Sequence, residues 1–316
     1  MNWSETRKKL LHLASRRATR CYEEPPRTAH GGPGDDSAWS GAEPAPRDRR
    51  AASLCVASGK GGTGKTALSA SLAHLLSSRG RTLIIDADLG VGNAHILQGA
   101  SPVKTFVDVA EGRATVREIL TPCSETIDLL AAGSGVPRMA ELNAYEMHLI
   151  ATGLEDLELD YRYMLIDSAA GVSRQTMAFA AASDLTLIVT TPDLTAMTDA
   201  YAFLKVLIAQ SQQRPLLLVN RAQDEEQAFE VRDRILRVCD RFLGRVPLPI
   251  GWLPEDPAVG SAGNRRGPVA ALEPQAEFSA ALRRKVGTIL EELGRTRAQG
   301  VGRRLLGEVA FARQLA

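Results

Sequence analysis

The stretch ASGKGGTGKT, residues 57–66, decides the fold of this chain. Its first two residues end the short apolar run SLCVAS, residues 53–58, and its last residue begins the helical pattern TALSASLAHLLSSRG, residues 66–80. Glycines in such a turn let backbone N–H groups face an anion, and the N-terminus of the next helix adds positive charge. The order of strand, glycine-rich turn and helix therefore predicts a phosphate-binding loop. Its pattern, G-x-x-x-x-G-K-[ST], is met by Gly59, Gly64, Lys65 and Thr66.

Short apolar runs alternate with helical stretches along the rest of the chain. The runs are rich in leucine and β-branched residues, which favours strands buried on both faces. We therefore predict an α/β fold, with a mostly parallel β-sheet and helices on both faces. The runs are SLCVAS (53–58), TLIIDAD (82–88), IDLLAAG (127–133), YMLIDSA (163–169), LTLIVTT (185–191), PLLLVNR (215–221) and VPLPIGW (246–252).

Three aspartates, Asp86, Asp88 and Asp167, end predicted strands. Because ligands of open α/β sheets bind at the carboxyl ends of strands, we expect these side chains beside the glycine-rich loop. One carboxylate there can hold Mg²⁺ and another can orient an attacking water, although each alone could instead cap the following turn. Lys65 would reach the β- and γ-phosphates, and the Thr66 hydroxyl would bind Mg²⁺. The set as a whole indicates a nucleotide site.

Composition and charge exclude several classes of protein. The net charge is +1, so the overall balance favours neither a nucleic acid nor an acidic partner. No apolar run approaches the ~20 residues that cross a bilayer, and the basic N-terminus lacks the apolar core of a secretory signal. We therefore expect a cytoplasmic protein. The four cysteines include no C-x-x-C pair, which argues against a disulfide framework and against a metal or iron–sulfur site.

The chain divides by composition into four segments. Residues 1–20 predict a short basic helix, and residues 21–51, rich in Pro, Gly and charge, predict a disordered linker. Residues 52–293 carry the alternating pattern of the predicted nucleotide-binding domain. Residues 294–316 predict a basic C-terminal helix whose apolar face consists of Val301, Leu305, Val309 and Ala312. That face suits either an anionic membrane surface or packing on the body of the protein.

The segment KGGTGKT, residues 60–66, resembles the deviant P-loop K-G-G-x-G-K-[ST] of the MinD/ParA ATPases. The resemblance covers residues 52–290 and implies ATP and Mg²⁺ as cofactors, together with an ATP-dependent homodimer. In that dimer Lys60 would cross to the phosphates held by the partner subunit. The phosphate-binding residues that the resemblance implies are Gly59, Gly61, Gly62, Thr63, Gly64, Lys65 and Thr66.

The same resemblance assigns roles to individual side chains. The catalytic residues it implies are Lys60, Lys65 and Asp88, with Asp88 organising the attacking water. The Mg²⁺ ligands it implies are Thr66, Asp86 and Asp167. On the adenine side it implies contacts from Asn220, in LLLVNR, and from Pro254 and Asp256, in LPEDPAV. The alternative for Asn220 is that it caps a helix or a turn.

Residues 182–207, ASDLTLIVTTPDLTAMTDAYAFLKVL, resemble the FlhG/FleN branch of this family, which controls flagellar number and placement. The resemblance implies a slow ATPase that acts as a dimerisation switch, with an FlhF-like GTPase or a flagellar transcription activator as partner. The N-terminal SETRKKLLHL, residues 4–13, lacks the glutamine of the helix with which members of the branch activate that GTPase.

Two alternatives to the dimerisation switch stay open at this point. The ATP-bound chain could act as an inhibitor of a flagellar transcription activator, or it could be a ParA-like partition ATPase on DNA. From residue 262 onward the chain has ten Arg or Lys against five Asp or Glu, which suits a membrane or a nucleic acid. No helix-turn-helix pattern precedes the P-loop, so DNA is the weaker expectation. If its apolar face meets a membrane rather than the body of the protein, the C-terminal helix would supply a peripheral membrane contact.

Overall fold

The computed structural model describes residues 50–90, 92–133 and 142–314, with side chains described as far as residue 307. The predicted helix 1–20 and nearly all of the predicted linker 21–51 lie outside these residues. Arg50 and Ala51, just before the predicted domain boundary at residue 52, are both bonded to Glu158. The Ala51 N–H donates to the Glu158 carbonyl at 2.8 Å, and the Arg50 guanidinium pairs with the Glu158 carboxylate.

The strands of the described residues form one sheet. They are β1 (Ala52–Ser58), β2 (Thr82–Ala87), β3 (Leu120–Pro122), β4 (Ile127–Leu130), β5 (Tyr163–Ala170), β6 (Leu185–Thr190), β7 (Leu216–Ala222) and β8 (Leu248–Pro254). Their order across the sheet is β3-β4-β2-β5-β1-β6-β7-β8. All neighbouring strands run parallel except β3 and β4. The mostly parallel α/β sheet predicted from the sequence is confirmed.

Helices cover both faces of this sheet. They are α1 (Lys65–Ser77), α2 (Ala94–Leu97), α3 (Phe106–Ala110), α4 (Ala144–Leu157), α5 (Arg174–Ala182), α6 (Leu194–Gln210), α7 (Glu225–Leu243), α8 (Pro257–Asn264), α9 (Val269–Leu272), α10 (Glu277–Arg295) and α11 (Val301–Gln314), with a 3₁₀ turn at Arg117–Ile119. Apolar side chains of α1, α2 and α8 to α10 pack on one face, and those of α3 to α7 and α11 pack on the other.

The two cores explain why β1 is apolar at nearly every position. Successive side chains of a strand point to opposite faces, so Leu54 and Val56 enter one core while Cys55 and Ala57 enter the other. All four are at most 1% exposed. β1 lies in the interior of the sheet, between β5 and β6, so its carboxyl end delivers the glycine-rich loop to the middle of the sheet edge.

The sequence pattern missed β3, which is only three residues long and contains Pro122. A proline removes a ladder donor and is tolerated at a sheet edge, and β3 is the edge strand beside β4. Such a strand is too short to show the alternation of exposed and buried side chains on which sequence prediction depends.

The C-terminal helix α11 packs on the protein at its first two turns. Val301 and Leu305 are fully buried in the core shared with α4 and α5. At Gly302 an added Cβ would collide with backbone atoms of α4. The Gly302 N–H donates to Glu158 Oε1 at 2.7 Å, and Arg304 pairs with the buried carboxylate of Asp184. Packing on the body of the protein therefore accounts for this part of the predicted apolar face.

The membrane alternative for the C-terminal segment then concerns residues 308–316, whose side chains lie outside the described part. Across residues 50–90, 92–133 and 142–314, no helix combines the length and the apolar character needed to cross a bilayer.

Candidate functional site

The glycine-rich loop joins β1 to α1 and turns through left-handed backbone at two glycines. Gly62 has φ 77° and Gly64 has φ 87°, conformations that a Cβ would strain. Space is also restricted, since a Cβ on Gly64 would lie 2.5 Å from Asn220 Nδ2 and a Cβ on Gly59 would collide with the Asp199 carbonyl. Gly61 has no such neighbour within 4 Å. Gly64 therefore packs against β7 and Gly59 against α6 too closely for either position to hold a side chain.

Lys65 begins α1 and is 8% exposed. Its Nζ donates to Ser58 Oγ at 2.9 Å, and Ser58 Oγ in turn donates to the Lys60 carbonyl at 2.6 Å. Burial lowers the pKa of Lys65, while the carboxylates of Asp167 and Asp88 act in the opposite direction. The loop therefore encloses a desolvated ammonium group at a helix N-terminus, which is an environment that attracts an anion.

Asp86 and Asp167 are direct register partners on the parallel strands β2 and β5, and both are at most 2% exposed. Asp167 Oδ1 accepts from Ser69 Oγ at 2.9 Å, and its carboxylate also accepts from the Thr66 hydroxyl. Asp86 accepts from the backbone N–H groups of Asp88 and Ala94 at 3.3 and 3.1 Å. The structure thus places the three predicted Mg²⁺ ligands, Thr66, Asp86 and Asp167, close together beside the glycine-rich loop.

Burial raises the pKa of both acids. It raises that of Asp167 to about 6, and it raises that of Asp86 well above the usual range, with the charge of Asp167 as the second cause. Two adjacent buried carboxylates are costly to ionise unless a cation lies between them. Carboxylate and hydroxyl oxygens are the donors that Mg²⁺ prefers, so Thr66, Asp86 and Asp167 fit that ion.

Asp88 and Gly171 lie directly after the two strands that carry Asp86 and Asp167. Asp88 is half-buried directly after β2, and its charge raises the pKa of Asp167. Gly171 follows β5 with φ 87°, and its N–H donates to the Ser58 carbonyl at 3.0 Å. The segment after β5 therefore lies beside the start of the glycine-rich loop, and Asp88, after β2, lies near Lys65 at the start of α1.

Lys60 forms an ion pair with Asp193 that the sequence analysis did not anticipate. Its Nζ lies 2.8 Å from Asp193 Oδ1 and 2.6 Å from Thr195 Oγ1. Hydrogen bonding from Lys60 is the largest cause that lowers the pKa of Asp193. Asp193 is also the N-cap of α6, where Oδ1 accepts from the Ala196 N–H at 2.9 Å. The sequence feature that could have drawn attention to Asp193 is the helix-capping pattern P-D-L-T, residues 192–195, ahead of an apolar helix.

The sequence alone does not show why the fold would need the segment Thr-Asp-Ala-Tyr, residues 198–201. The structure shows that this segment packs against the core and the phosphate-binding loop. Ala200 is fully buried, Tyr201 packs against the core, and the Asp199 backbone touches Gly59. This turn of α6 therefore supports the phosphate-binding loop from one side.

Asn220 supports the loop from the other side. Its Nδ2 donates to the Thr63 carbonyl at 2.8 Å, so it is not the cap of a helix or turn. Its Oδ1 and Thr63 Oγ1 are buried with no hydrogen-bond partner among the described residues. A buried acceptor without a partner is unfavourable, and Oδ1 fits a ligand that carries an N–H donor, such as the amino group of adenine.

Pro254 and Asp256 lie on the adjacent segment at the end of β8. Pro254 pairs with Ala222 at the end of the strand. Asp256 is the N-cap of α8, where Oδ1 accepts from the Ala258 N–H at 2.8 Å and Oδ2 accepts from the Phe278 N–H at 3.0 Å. Both of its oxygens thus serve the fold, and the adenine contact of these two residues stays a prediction.

Residues 54–269 match the family model described as the CobQ/CobB/MinD/ParA nucleotide binding domain, which covers more than half of the chain. The chain belongs to the MinD/ParA family. It is 31% identical to the antiactivator FleN of Pseudomonas aeruginosa over 73% of this chain and 83% of that protein. It is 29% identical to the flagellum site-determining protein YlxH of Helicobacter pylori over 62% of this chain and 66% of that one.

A solved MinD structure shares the fold. The septum site-determining protein MinD of Pyrococcus horikoshii, complexed with Mg-ADP, aligns with a TM-score of 0.64 at 24% identity, over 79% of this chain and 99% of that chain. MinD/ParA proteins are nucleotide-binding ATPases. In this member the glycines and lysine of the phosphate-binding loop lie beside the carboxylates at the ends of β2 and β5.

Proposed function

We propose that this chain is a MinD-type ATPase that binds ATP with Mg²⁺, hydrolyses it slowly, and forms a homodimer in the ATP-bound state to regulate the number or placement of flagella. The observation that carries the proposal is the convergence of two lysines and three aspartates at one edge of the sheet: Lys60, Lys65, Asp86, Asp88 and Asp167. The similarity to FleN and YlxH supports the flagellar assignment.

The P-loop would bind the phosphates through backbone N–H groups and the N-terminus of α1. The Lys65 ammonium would exchange the Ser58 hydroxyl for phosphate oxygens. Thr66, Asp86 and Asp167 would hold Mg²⁺, which when bound supplies charge neutralisation for phosphoryl transfer. Asn220 Oδ1, buried and without a partner among the described residues, would accept from adenine.

Asp88 would act on the attacking water rather than on the nucleotide. It is half-buried beside Lys65, at the end of the strand that also carries Asp86. Phosphoryl transfer depends mostly on positioning and charge stabilisation, so a carboxylate that orients the water has a large effect on rate and a small effect on binding.

Lys60 would connect nucleotide binding to dimerisation. In the single chain its ammonium is held by Asp193 and Thr195. The pair is exposed, with 42% and 48% of the two side chains accessible, so it contributes little to stability and exchanges readily. A triphosphate on a second copy would offer the ammonium a denser negative charge, and dimerisation would then depend on ATP.

A second candidate function is favoured by the printed name of one relative. FleN is an antiactivator, so the ATP-bound form of this chain could inhibit a flagellar transcription activator without a role for hydrolysis. The two candidates share the nucleotide site and differ in whether the Asp88→Ala variant, locked with ATP, still performs the function. The ParA-like alternative on DNA rests only on the excess of basic residues after residue 262.

Steady-state ATP hydrolysis and equilibrium nucleotide binding test the proposal together. We expect the wild type to bind and hydrolyse Mg-ATP, Lys65→Ala to lose both, and Asp88→Ala to bind normally while hydrolysing on the order of 100-fold more slowly. Asp240→Ala, which removes an exposed carboxylate from α7, is the matched control. A wild type without affinity for ATP, or an Asp88→Ala variant with normal turnover, would contradict the assignment.

A further inference from the structure

Two consecutive residues of β7 hold two consecutive carbonyls of the P-loop. Asn220 Nδ2 donates to the Thr63 carbonyl at 2.8 Å, and Arg221 Nη1 donates to the Gly62 carbonyl at 3.4 Å. The Asn220 contact belongs to a residue already assigned to the nucleotide site. Arg221 is the second residue of the N-[RM] pair that the family resemblance places near adenine, and its contact here concerns the peptide next to the one that Asn220 holds.

The direction of each carbonyl determines the direction of the following N–H group. A trans peptide is planar, and its C=O and N–H point to opposite sides. Because the Gly62 carbonyl faces Arg221, the Thr63 N–H faces away from it. Because the Thr63 carbonyl faces Asn220, the Gly64 N–H also faces away from β7. The two contacts therefore fix two N–H groups on the other side of the loop, where a phosphate would bind.

The backbone of Arg221 makes this double contact feasible. In a strand, successive side chains point to opposite faces, so neighbouring residues do not reach one target. Arg221 has φ 58°, and among the described residues it shares left-handed backbone with only one other non-glycine residue, Arg266. Such a conformation costs about 1 kcal/mol or more and persists where surrounding contacts require it. Here it turns Arg221 toward the same loop as Asn220.

Glu255 orients the guanidinium. Its Oε1 accepts from Arg221 Nη2 at 2.6 Å and from Nε at 3.2 Å, and its own N–H donates to the Ala222 carbonyl at 3.0 Å. The two side chains are 52% and 53% exposed, so the ion pair adds little to the stability of the fold. Its consequence is geometric, because it leaves Nη1 directed at the Gly62 carbonyl.

We propose that Arg221, oriented by Glu255, is a positioning residue that fixes the phosphate-facing N–H groups of the P-loop. The proposal rests on the nucleotide-binding function proposed above and assigns a part of that function to the pair of Arg221 and Glu255. In this role Arg221 acts through the loop backbone and not through the base. Its removal therefore weakens the binding of the phosphate chain itself, with or without an attached nucleoside.

The test is equilibrium binding of a fluorescent ADP, and its displacement by Mg-ATP and by inorganic tripolyphosphate, to the full chain and its variants. We expect Arg221→Ala to weaken both competitors about ten-fold, as loss of one charged hydrogen bond allows. Arg221→Gly accepts the left-handed backbone without strain but lacks the guanidinium, so it should match Arg221→Ala. Arg221→Lys should recover part of the affinity, and Glu255→Gln should show a smaller loss than Arg221→Ala.

Arg265→Ala is the matched control, because it removes an arginine from an equally exposed ion pair, with Glu273, outside the P-loop. Thermal unfolding checks that every variant is folded. Wild-type affinity in Arg221→Gly overturns the positioning role while leaving the nucleotide site intact. A loss confined to ATP, with tripolyphosphate unaffected, also overturns it, since it would assign Arg221 to the base. A wild type that binds no ligand would overturn both the nucleotide site and this inference.

Discussion

The ammonium group of Lys60 lies 2.8 Å from Oδ1 of Asp193, which places the second lysine of the P-loop against its own chain. The resemblance to MinD/ParA ATPases assigns this lysine to the phosphates of a partner subunit. In the proposed cycle, Lys60 exchanges an exposed ion pair within one chain for the triphosphate of another. The strength of the pair with Asp193 then sets how readily the dimer forms.

Asp193→Asn should shift the proposed dimerisation to lower ATP concentration. The asparagine keeps an acceptor for the N-cap of α6 but removes the charge that holds Lys60. We expect a few-fold tighter dimer, measured by analytical ultracentrifugation with Mg-ATP. Asp224→Asn, which makes the same change at the N-cap of α7 with no lysine attached, is the control. Equal dimer affinity in the two variants would show that the ion pair exerts no restraint.

Two glycines of the P-loop should differ in how far nucleotide binding tolerates their substitution by alanine. Gly64→Ala places a Cβ 2.5 Å from Asn220 Nδ2 on left-handed backbone, so the loop must distort and nucleotide binding should be lost. Gly61→Ala meets no atom within 4 Å and requires no positive φ, so its affinity should stay within about three-fold of wild type. Calorimetric titration with Mg-ADP measures both. Comparable losses in the two variants would refute this geometry of the loop.

The nucleotide-free protein should lose stability between about pH 4 and pH 6 because of Asp167. Burial raises the folded-state pKa of this carboxyl to about 6, above its usual 3.8. Below pH 4 the group is protonated in both folded and unfolded chains and has no effect. As the pH rises, the unfolded chain ionises first, and the folded state becomes less favourable by a few kcal/mol, at about 1.4 kcal/mol per pKa unit.

Asp167→Asn removes that titration. We therefore expect Asp167→Asn to be more stable than the wild type at pH 7.5, with the difference shrinking at pH 4, in urea unfolding without metal or nucleotide. Asp156→Asn, a change at the exposed end of α4, should show no such dependence. A variant that is less stable than wild type at pH 7.5 would mean that Asp167 is stabilising as an anion.

Docking of α11 should be a substantial part of the fold. Leu305 is fully buried against the core of α4 and α5, so Leu305→Ala should lower the free energy of unfolding by roughly 2–4 kcal/mol. Leu306→Ala, at a half-buried position one residue further on, should cost less than half as much. Urea unfolding compares the two. Equal, small effects would indicate that α11 is detached in solution, as a membrane-binding helix would be.

Much of the fold was predictable because parallel strands buried on both faces leave unbroken apolar runs. β1, β2, β5, β6 and β7 are of this kind, and the loop motif located the site at their carboxyl ends. The short strand β3 left no periodic signal because it has only three residues and pairs with a single neighbouring strand.

The site residues that belong to local sequence motifs were predictable, whereas the contacts that depend on packing between distant segments were not. Lys65, Thr66 and the strand-end aspartates follow from spacing along the chain. The contacts of Lys60 with Asp193 and of Arg221 with Gly62 join segments more than 130 residues apart, and they exist because α6 and β7 flank the loop. The left-handed backbone at Arg221 has no sequence signal, since it is favoured by glycine and asparagine rather than arginine.

The C-terminal helix shows a further limit of sequence analysis. The apolar face begun by Val301 and Leu305 is the same whether it meets lipid or protein. For the first turns of α11, the structure shows packing on protein: Val301 and Leu305 are buried, the Gly302 N–H donates to Glu158, and Arg304 pairs with the buried Asp184.

The central claim is that ATP at this site joins two copies of the chain through Lys60. Its most direct test is the molar mass of the Asp88→Ala variant by light scattering, with Mg-ATP and with Mg-ADP, alongside the double variant that adds Lys60→Ala. The account predicts a mass that doubles with Mg-ATP alone, and a double variant that binds ATP but remains a monomer. A monomeric Asp88→Ala protein with ATP bound, or a double variant that dimerises normally, would contradict it.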